Sequence, residues 1–134
     1  MPGYSGTPLP KKLGIKAGFR VWFVDLPAEV RAELSAELAA CEIVSDRKTV
    51  LDFAMVFTKS EALLIKEFER IGKRLAPAGM LWASWPKKSS GVPTDLDDNV
   101  VREVGLAAGL VDVKVCAVTE VWSGLKFVRR VKDR

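Results

Sequence analysis

The stretch WPKKSSGVPT, residues 85–94, gathers groups that could hold a small anion. Lys87 and Lys88 bring two ammonium groups and Ser89 and Ser90 two hydroxyls. Gly91 adds flexibility, and Thr94 sits where a helix is expected to start. A helix start presents unpaired backbone N–H groups and partial positive charge. Lysine and serine beside such an end suit a phosphate, sulfate or carboxylate. Thr58, Lys59 and Ser60 repeat the arrangement before another expected helix, and Asp25 closes an earlier apolar run. Trp85, at the exit of its run, is the best placed of four tryptophans to wall a ligand; Trp22, Trp82 and Trp122 read as core filling. The same residues also make an ordinary polar surface loop with an ordinary cap at Thr94.

Groups for catalysis are few. The chain has no histidine, which removes the commonest general base and the commonest transition-metal ligand. Cys41 and Cys116 stand far apart in apolar contexts and read as two reduced core thiols, so no metal site is expected. Asp25, Lys59, Lys87, Lys88 and Tyr4 complete the acid–base inventory. A desolvated lysine can act as base or nucleophile, but no nucleophile–base–orienter set can be read from the spacing. No catalytic residue is assigned, and the balance leans away from an enzyme.

The elements that must position these residues alternate. An apolar run at 19–25 reads as a strand covered on both faces, and Pro27 opens an amphipathic helix through Val30, Leu34 and Leu38 to about Ala40. Residues 41–45 make a short strand and Asp46-Arg47-Lys48 a turn. TVLDFAMVF (49–57) is a second long strand. Thr58 and Glu61 then stand at capping-box spacing before a helix through Leu64, Phe68, Ile71 and Leu75, ended by Pro77 and Gly79. MLWASW (80–85) is a buried strand. Thr94 and Asp97 repeat the cap signature before a helix stopped by Gly109. VDVKVCAVT alternates as a strand, EVWSG turns, and LKFVRRV returns. The order predicts an α/β, three-layer Rossmann-like domain: an open, mainly parallel sheet with a C-terminal antiparallel hairpin.

With 134 residues the chain is sized for one domain, here 19–134 behind an N-terminal arm at 1–18. Such a length buries roughly two thirds of the unfolded surface without staples. No apolar run reaches the roughly 18 residues of a membrane span. MPGYSGTPLPKK has no apolar stretch behind its charges, so no secretory signal is expected there and the cytoplasm is the expected location. Lys and Arg outnumber Asp and Glu by 21 to 17. The surplus gathers at Lys11, Lys12, Lys16 and Arg20, and again at Lys126, Arg129, Arg130, Lys132 and Arg134. These flanks could face a polyanion, yet no aromatic ladder accompanies them, so nucleic acid is the less favoured partner. A homodimer through an exposed sheet edge is a further option.

RLAPAGMLWASWP, followed by AAGLVDVKV and WSGLKFVRR, resembles class I S-adenosylmethionine-dependent methyltransferases in the pattern and order of elements over the C-terminal two-thirds of the chain, about Thr49 to Val131. YSGTPLPKKLGIKAG, WPKKSSGVPTDL and GLVDVKVCAVTEVWSGLKFVRR resemble a bacterial family of small proteins, domain of unknown function 3052, which brings no assigned activity. Departures from the methyltransferase pattern decide the expectation. That pattern implies a glycine-rich turn after the first strand, where backbone N–H groups approach the cofactor. Here Leu26-Pro27-Ala28 supplies bulk, Pro27 lacks a donor, and Glu29 adds negative charge. The chain before Val50 has room for one strand–helix unit where two are usual, leaving Glu42 or Asp46 as the acid to hold a ribose. The expectation is a methyltransferase-like domain with no cofactor, binding a small anion at Asp25, 58–60 and 85–94. An interaction module using the basic ends, and a divergent methyl transferase, are the alternatives.

Overall fold

A computed structural model describes residues 6–134; Tyr4 lies outside the described residues. The elements are α1 (Leu9–Leu13), β1 (Arg20–Val24), α2 (Ala28–Ala39), β2 (Glu42–Ile43), β3 (Leu51–Phe57), α3 (Glu61–Gly72), β4 (Leu75–Pro86), α4 (Asp98–Ala107), β5 (Leu110–Ala117) and β6 (Trp122–Arg129). Short 3-10 turns follow β4 at Lys88–Ser90 and β6 at Val131–Asp133. The strands form one sheet in the order β2-β1-β3-β4-β6-β5. The first four are parallel, and β6 is antiparallel to both β4 and β5. The expected open sheet with a closing hairpin is what the chain forms.

Continuous apolar strands follow from burial on both faces. On β3, Phe53, Met55 and Phe57 meet the α1–α2 side with Leu13, Val30 and Leu34, while Ala54 and Val56 meet the α3–α4 side with Leu64, Phe68 and Val101. Leu9, Leu13 and Ile15 are buried, and the Trp82 indole Nε1 donates to the Leu13 carbonyl at 3.0 Å. From Leu9 onward the expected arm therefore packs on a sheet face. On the other face Phe68 and Phe127 meet edge to face, their centroids 5.2 Å apart. No helix among the described residues is long and apolar enough to cross a membrane.

Four local expectations change. α3 ends at Gly72, so Leu75, Pro77 and Gly79 belong to β4. Its irregular start brings Gly79 so near β3 that a Cβ there would stand 2.8 Å from the Leu51 carbonyl, a close approach that glycine permits. The cap of α3 is Ser60, not Thr58. The cap of α4 is Asp97, not Thr94. Trp122, Ser123 and Gly124 pair with β4 as part of β6, so the turn lies before them. Leu75, Thr94 and Trp122 are drawn to the distant partners Leu51, Lys59 and Pro86, and Thr58 turns inward.

Candidate functional site

Strands β1, β3 and β4 all end at one edge. β5 runs in the same direction as β4, because both are antiparallel to β6, so Ala117 ends there too. From β1 the chain moves outward to β2, then crosses back to β3, and this reversal places a crevice between the ends of β1 and β3. Asp25 is exposed at that point and holds φ +54°, a left-handed conformation that aspartate tolerates better than most residues. Leu26 turns into the apolar cluster on the α1–α2 side. Pro27 is the N-cap of α2 and offers neither an N–H nor a side-chain cap.

At the next strand end Thr58 is buried, and its Oγ1 accepts the Ser60 N–H at 3.1 Å. The Ser60 hydroxyl accepts from the Leu63 N–H at 3.3 Å. Asp95, from the loop before α4, accepts the Glu61 N–H at 2.8 Å. Asp97 does the same for α4 through the Val100 N–H at 2.9 Å. The positive ends of both helices thus already face oxygens of the chain itself. Thr94 donates its hydroxyl to the Lys59 carbonyl at 2.7 Å and accepts the Leu96 N–H, which ties the loop to α3.

The 86–94 loop is similarly self-bonded. Ser90 Oγ donates to the Lys87 carbonyl at 2.6 Å and accepts the Val92 N–H, while the Lys87 N–H reaches the Val121 carbonyl at 2.7 Å. Gly91 closes the turn at φ +73°. A cleft of about 570 Å³ opens between this loop and the start of α4. Trp85 lines it at 5% exposure, together with Lys87 and Lys88 on one side and Asp95, Asp97 and Asp98 on the other. Ser89 is exposed nearby. Asp25, Thr58, Lys59 and Ser60 do not line this cleft, so the expected set divides between the β1–β3 crevice and the β4 loop.

A second cleft at this edge, about 430 Å³, escaped the sequence reading. Thr7, Lys11, Lys12, Lys114 and Cys116 line it, and among the described residues no carboxylate does. Lys12 is only 9% exposed, and its Nζ donates to the Ala117 carbonyl at 3.3 Å. Lys114 Nζ donates to the Lys12 carbonyl at 2.7 Å. Burial raises the Cys116 thiol pKa, against the pull of Lys12, Lys114 and Lys87. Lys126, paired across the hairpin with Lys114, is held below the usual lysine range, first by burial and then by Lys114 and Lys16. Cys41 and Cys116 are both free and half-buried. Lys12 and Lys114 stand 102 residues apart in the sequence, and the docking of α1 beside β5 brings them together.

Solved structures share this architecture. A SAM-dependent methyltransferase from Aquifex aeolicus superposes with TM-score 0.59 at 16% identity, covering 87% of this chain and 85% of that one. The precorrin-6y C5,15-methyltransferase from Geobacter metallireducens gives 0.59 at 9%, covering 91% and 86%. A methyltransferase from Pyrococcus furiosus gives 0.56 at 14%, covering 89% and 78%. The fold is methyltransferase-like. No family model matches the chain, and no curated protein matches it in sequence.

A methyltransferase-like fold implies S-adenosylmethionine, and the residues here do not fit it. After β1, Leu26 and Pro27 stand where main-chain donors are needed. β2 pairs only with Arg20 and Val21, so Glu42 lies level with the start of β1. At about 3.3 Å per residue, that is more than 10 Å short of Asp25. Asp46 is spent within its own turn, accepting from the Lys48 N–H, the Thr49 N–H and the Thr49 hydroxyl. Neither acid reaches the edge where a ribose would lie.

Proposed function

We propose that this methyltransferase-like domain is not an enzyme and binds a small anionic ligand at the carboxyl ends of its strands, in an accessory or regulatory role. The observation supporting this is the lysine-lined cleft beside Cys116, close enough to Lys87 for that ammonium to act on the thiol. Crowded ammonium groups repel one another, and an arriving anion relieves that repulsion. The neighbouring cleft at Trp85 carries three aspartates beside its two lysines, which disfavours an anion deep within it. The turn at Leu26-Pro27 argues against methyl transfer. The resemblance to domain of unknown function 3052 names no reaction, and a cytoplasmic location fits the reduced thiols.

Thermal-shift measurements with inorganic phosphate, nucleotides, acyl phosphates and S-adenosylmethionine test the reading. A ligand at a hundredfold its Kd stabilises by about 2.7 kcal/mol, a shift of several degrees for a domain of this size. The shift should appear with a phosphate-bearing compound and vanish in Lys87→Ala/Lys114→Ala. No stabilisation by any anion, or an undiminished shift in the double variant, refutes it. Stabilisation by S-adenosylmethionine above all anions favours the transferase reading instead.

A further inference from the structure

The opposite edge of the sheet, where β1, β3 and β4 begin, carries a second and independent concentration of positive charge. A cleft of about 340 Å³ lies there between the turn after β2 and the last turns of α3. Its lining brings Arg47, Arg70, Lys73 and Arg74 together over Trp22, with Glu67 the one carboxylate among the described residues. Arg74 is the organising residue. Its guanidinium lies 4.8 Å from the centre of the Trp22 ring, Nε donates to the Thr49 carbonyl at 3.1 Å, and Nη2 donates to the Asp46 carbonyl at 2.9 Å. These bonds fix the 46–49 turn against α3 and so hold Arg47 beside Arg70 and Lys73. Asp46 approaches Arg74 at 4.0 Å, but its carboxylate is already engaged by Lys48 and Thr49. Among the described residues none of Arg47, Arg70 and Lys73 has an ion-pair partner, and all three are exposed. Among the described residues the buried Trp22 Nε1–H finds no hydrogen-bond acceptor.

The charge continues beyond the cleft. Because β6 is antiparallel, it ends at this edge, where Arg129 donates to the Gly72 carbonyl at 3.0 Å and to the Leu75 carbonyl at 2.7 Å. Arg130, Lys132 and Arg134 follow, with Asp133 the only acid among them, and Arg134 Nε folds back to the Arg129 carbonyl at 3.1 Å. Cations from three segments remote in sequence thus share one edge. A single phosphate would need only the cleft; the extension fits a ligand with repeated negative charges. Arg74 lies over one face of the Trp22 ring, and the exposed groups of the cleft are cations, which suit phosphates rather than base edges.

We propose that this edge binds the phosphate backbone of a nucleic acid without sequence preference, Arg47, Arg70 and Lys73 being the contacts that exchange counterions for phosphates. The inference stands apart from the anion site at the other edge. Fluorescence anisotropy with labelled single- and double-stranded oligonucleotides, between about 50 and about 200 mM salt, tests it. Each phosphate contact contributes roughly 0.7 to 0.9 to the slope of log K against log salt. Arg47→Ala/Arg70→Ala/Lys73→Ala should flatten the slope by about two to three, and weaken binding uniformly across sequences. Arg31→Ala, an exposed residue of α2 outside both basic clefts, should leave both unchanged. Circular dichroism and thermal unfolding confirm that the triple variant folds, and single charge removals replace it if it does not. No binding at the lowest salt, a slope unaltered by these changes, or inorganic phosphate binding as tightly as the oligonucleotides would each overturn the proposal.

Discussion

The carboxylate of Asp95 accepts the backbone N–H of Glu61 at 2.8 Å, so a residue from the loop before α4 holds the positive end of α3. Together with the Thr94 hydroxyl on the Lys59 carbonyl, it staples the 91–97 loop to the neighbouring helix. The anion-attracting end of α3 is filled from within the chain, which moves attention to the lysines near Cys116.

Removing that carboxylate should cost stability. Asp95→Ala is expected to lose about 1 kcal/mol, as helix-cap deletions do, and Asp95→Asn, which keeps an acceptor, distinctly less. Urea unfolding measures both. An alanine variant as stable as the parent would show that the bond contributes nothing.

Acid stability should depend on Asp46. Hydrogen bonds from the Thr49 hydroxyl and N–H and from the Lys48 N–H hold its pKa at about 2, against 3.8. Its folded-state value lies below the unfolded one, so its stabilisation is complete above 3.8 and lost as pH falls through about 2. Asp52 is shifted in the same direction by its hydrogen bond from Arg20, at 2.9 Å. Asp46→Ala should therefore unfold more readily at neutral pH, and the gap from the parent should close as the pH approaches 2. A gap constant across that range contradicts the assignment.

Lys126 should show the opposite dependence. Burial and the neighbouring Lys114 and Lys16 lower its pKa, so the folded state releases this proton more readily than the unfolded chain. Stability should rise as pH climbs from the folded value toward 10.5, the ordinary lysine value. Lys126→Met is expected to raise stability at neutral pH and to remove that alkaline rise. Thermal unfolding between neutral and alkaline pH decides the matter, and an unchanged rise in the variant would sink it.

Gly105 should resist even a methyl group. A Cβ at this position of α4 would overlap the ring of Phe127, which is fully buried and already packed on Phe68. Gly105→Ala gains up to about 1 kcal/mol of helix propensity, but overpacking costs about 1 to 3 kcal/mol. The expected result is a Tm lowered by a few degrees. A raised Tm would mean that the Phe127 ring has room to move.

Much of the fold is legible in the residues alone. The apolar runs at 20–24 and 51–57 announce strands covered on both faces, and Val30, Leu34 and Leu38 announce the helix between them. Boundaries were less legible where tertiary contacts compete with local signals. Pro77 and Gly79 read as a helix stop, yet they enter β4 because its irregular start presses against Leu51. Thr58 and Thr94 read as caps, yet Ser60 and Asp97 hold those positions, since Thr94 is drawn to Lys59 and Thr58 turns inward.

By itself, then, the sequence determined the alternation of elements, the layers and the bulk at Leu26-Pro27, because periodicity and backbone stiffness act over a few residues. Tertiary structure alone decided which charges meet. Lys12 reaches Ala117, Lys114 pairs with Lys126, and Arg129 reaches Gly72, through strand register and helix docking. Electrostatics depends on distance in space, and separation along the chain does not report it. A net charge of +4 therefore becomes two separate basic edges only once the sheet has formed.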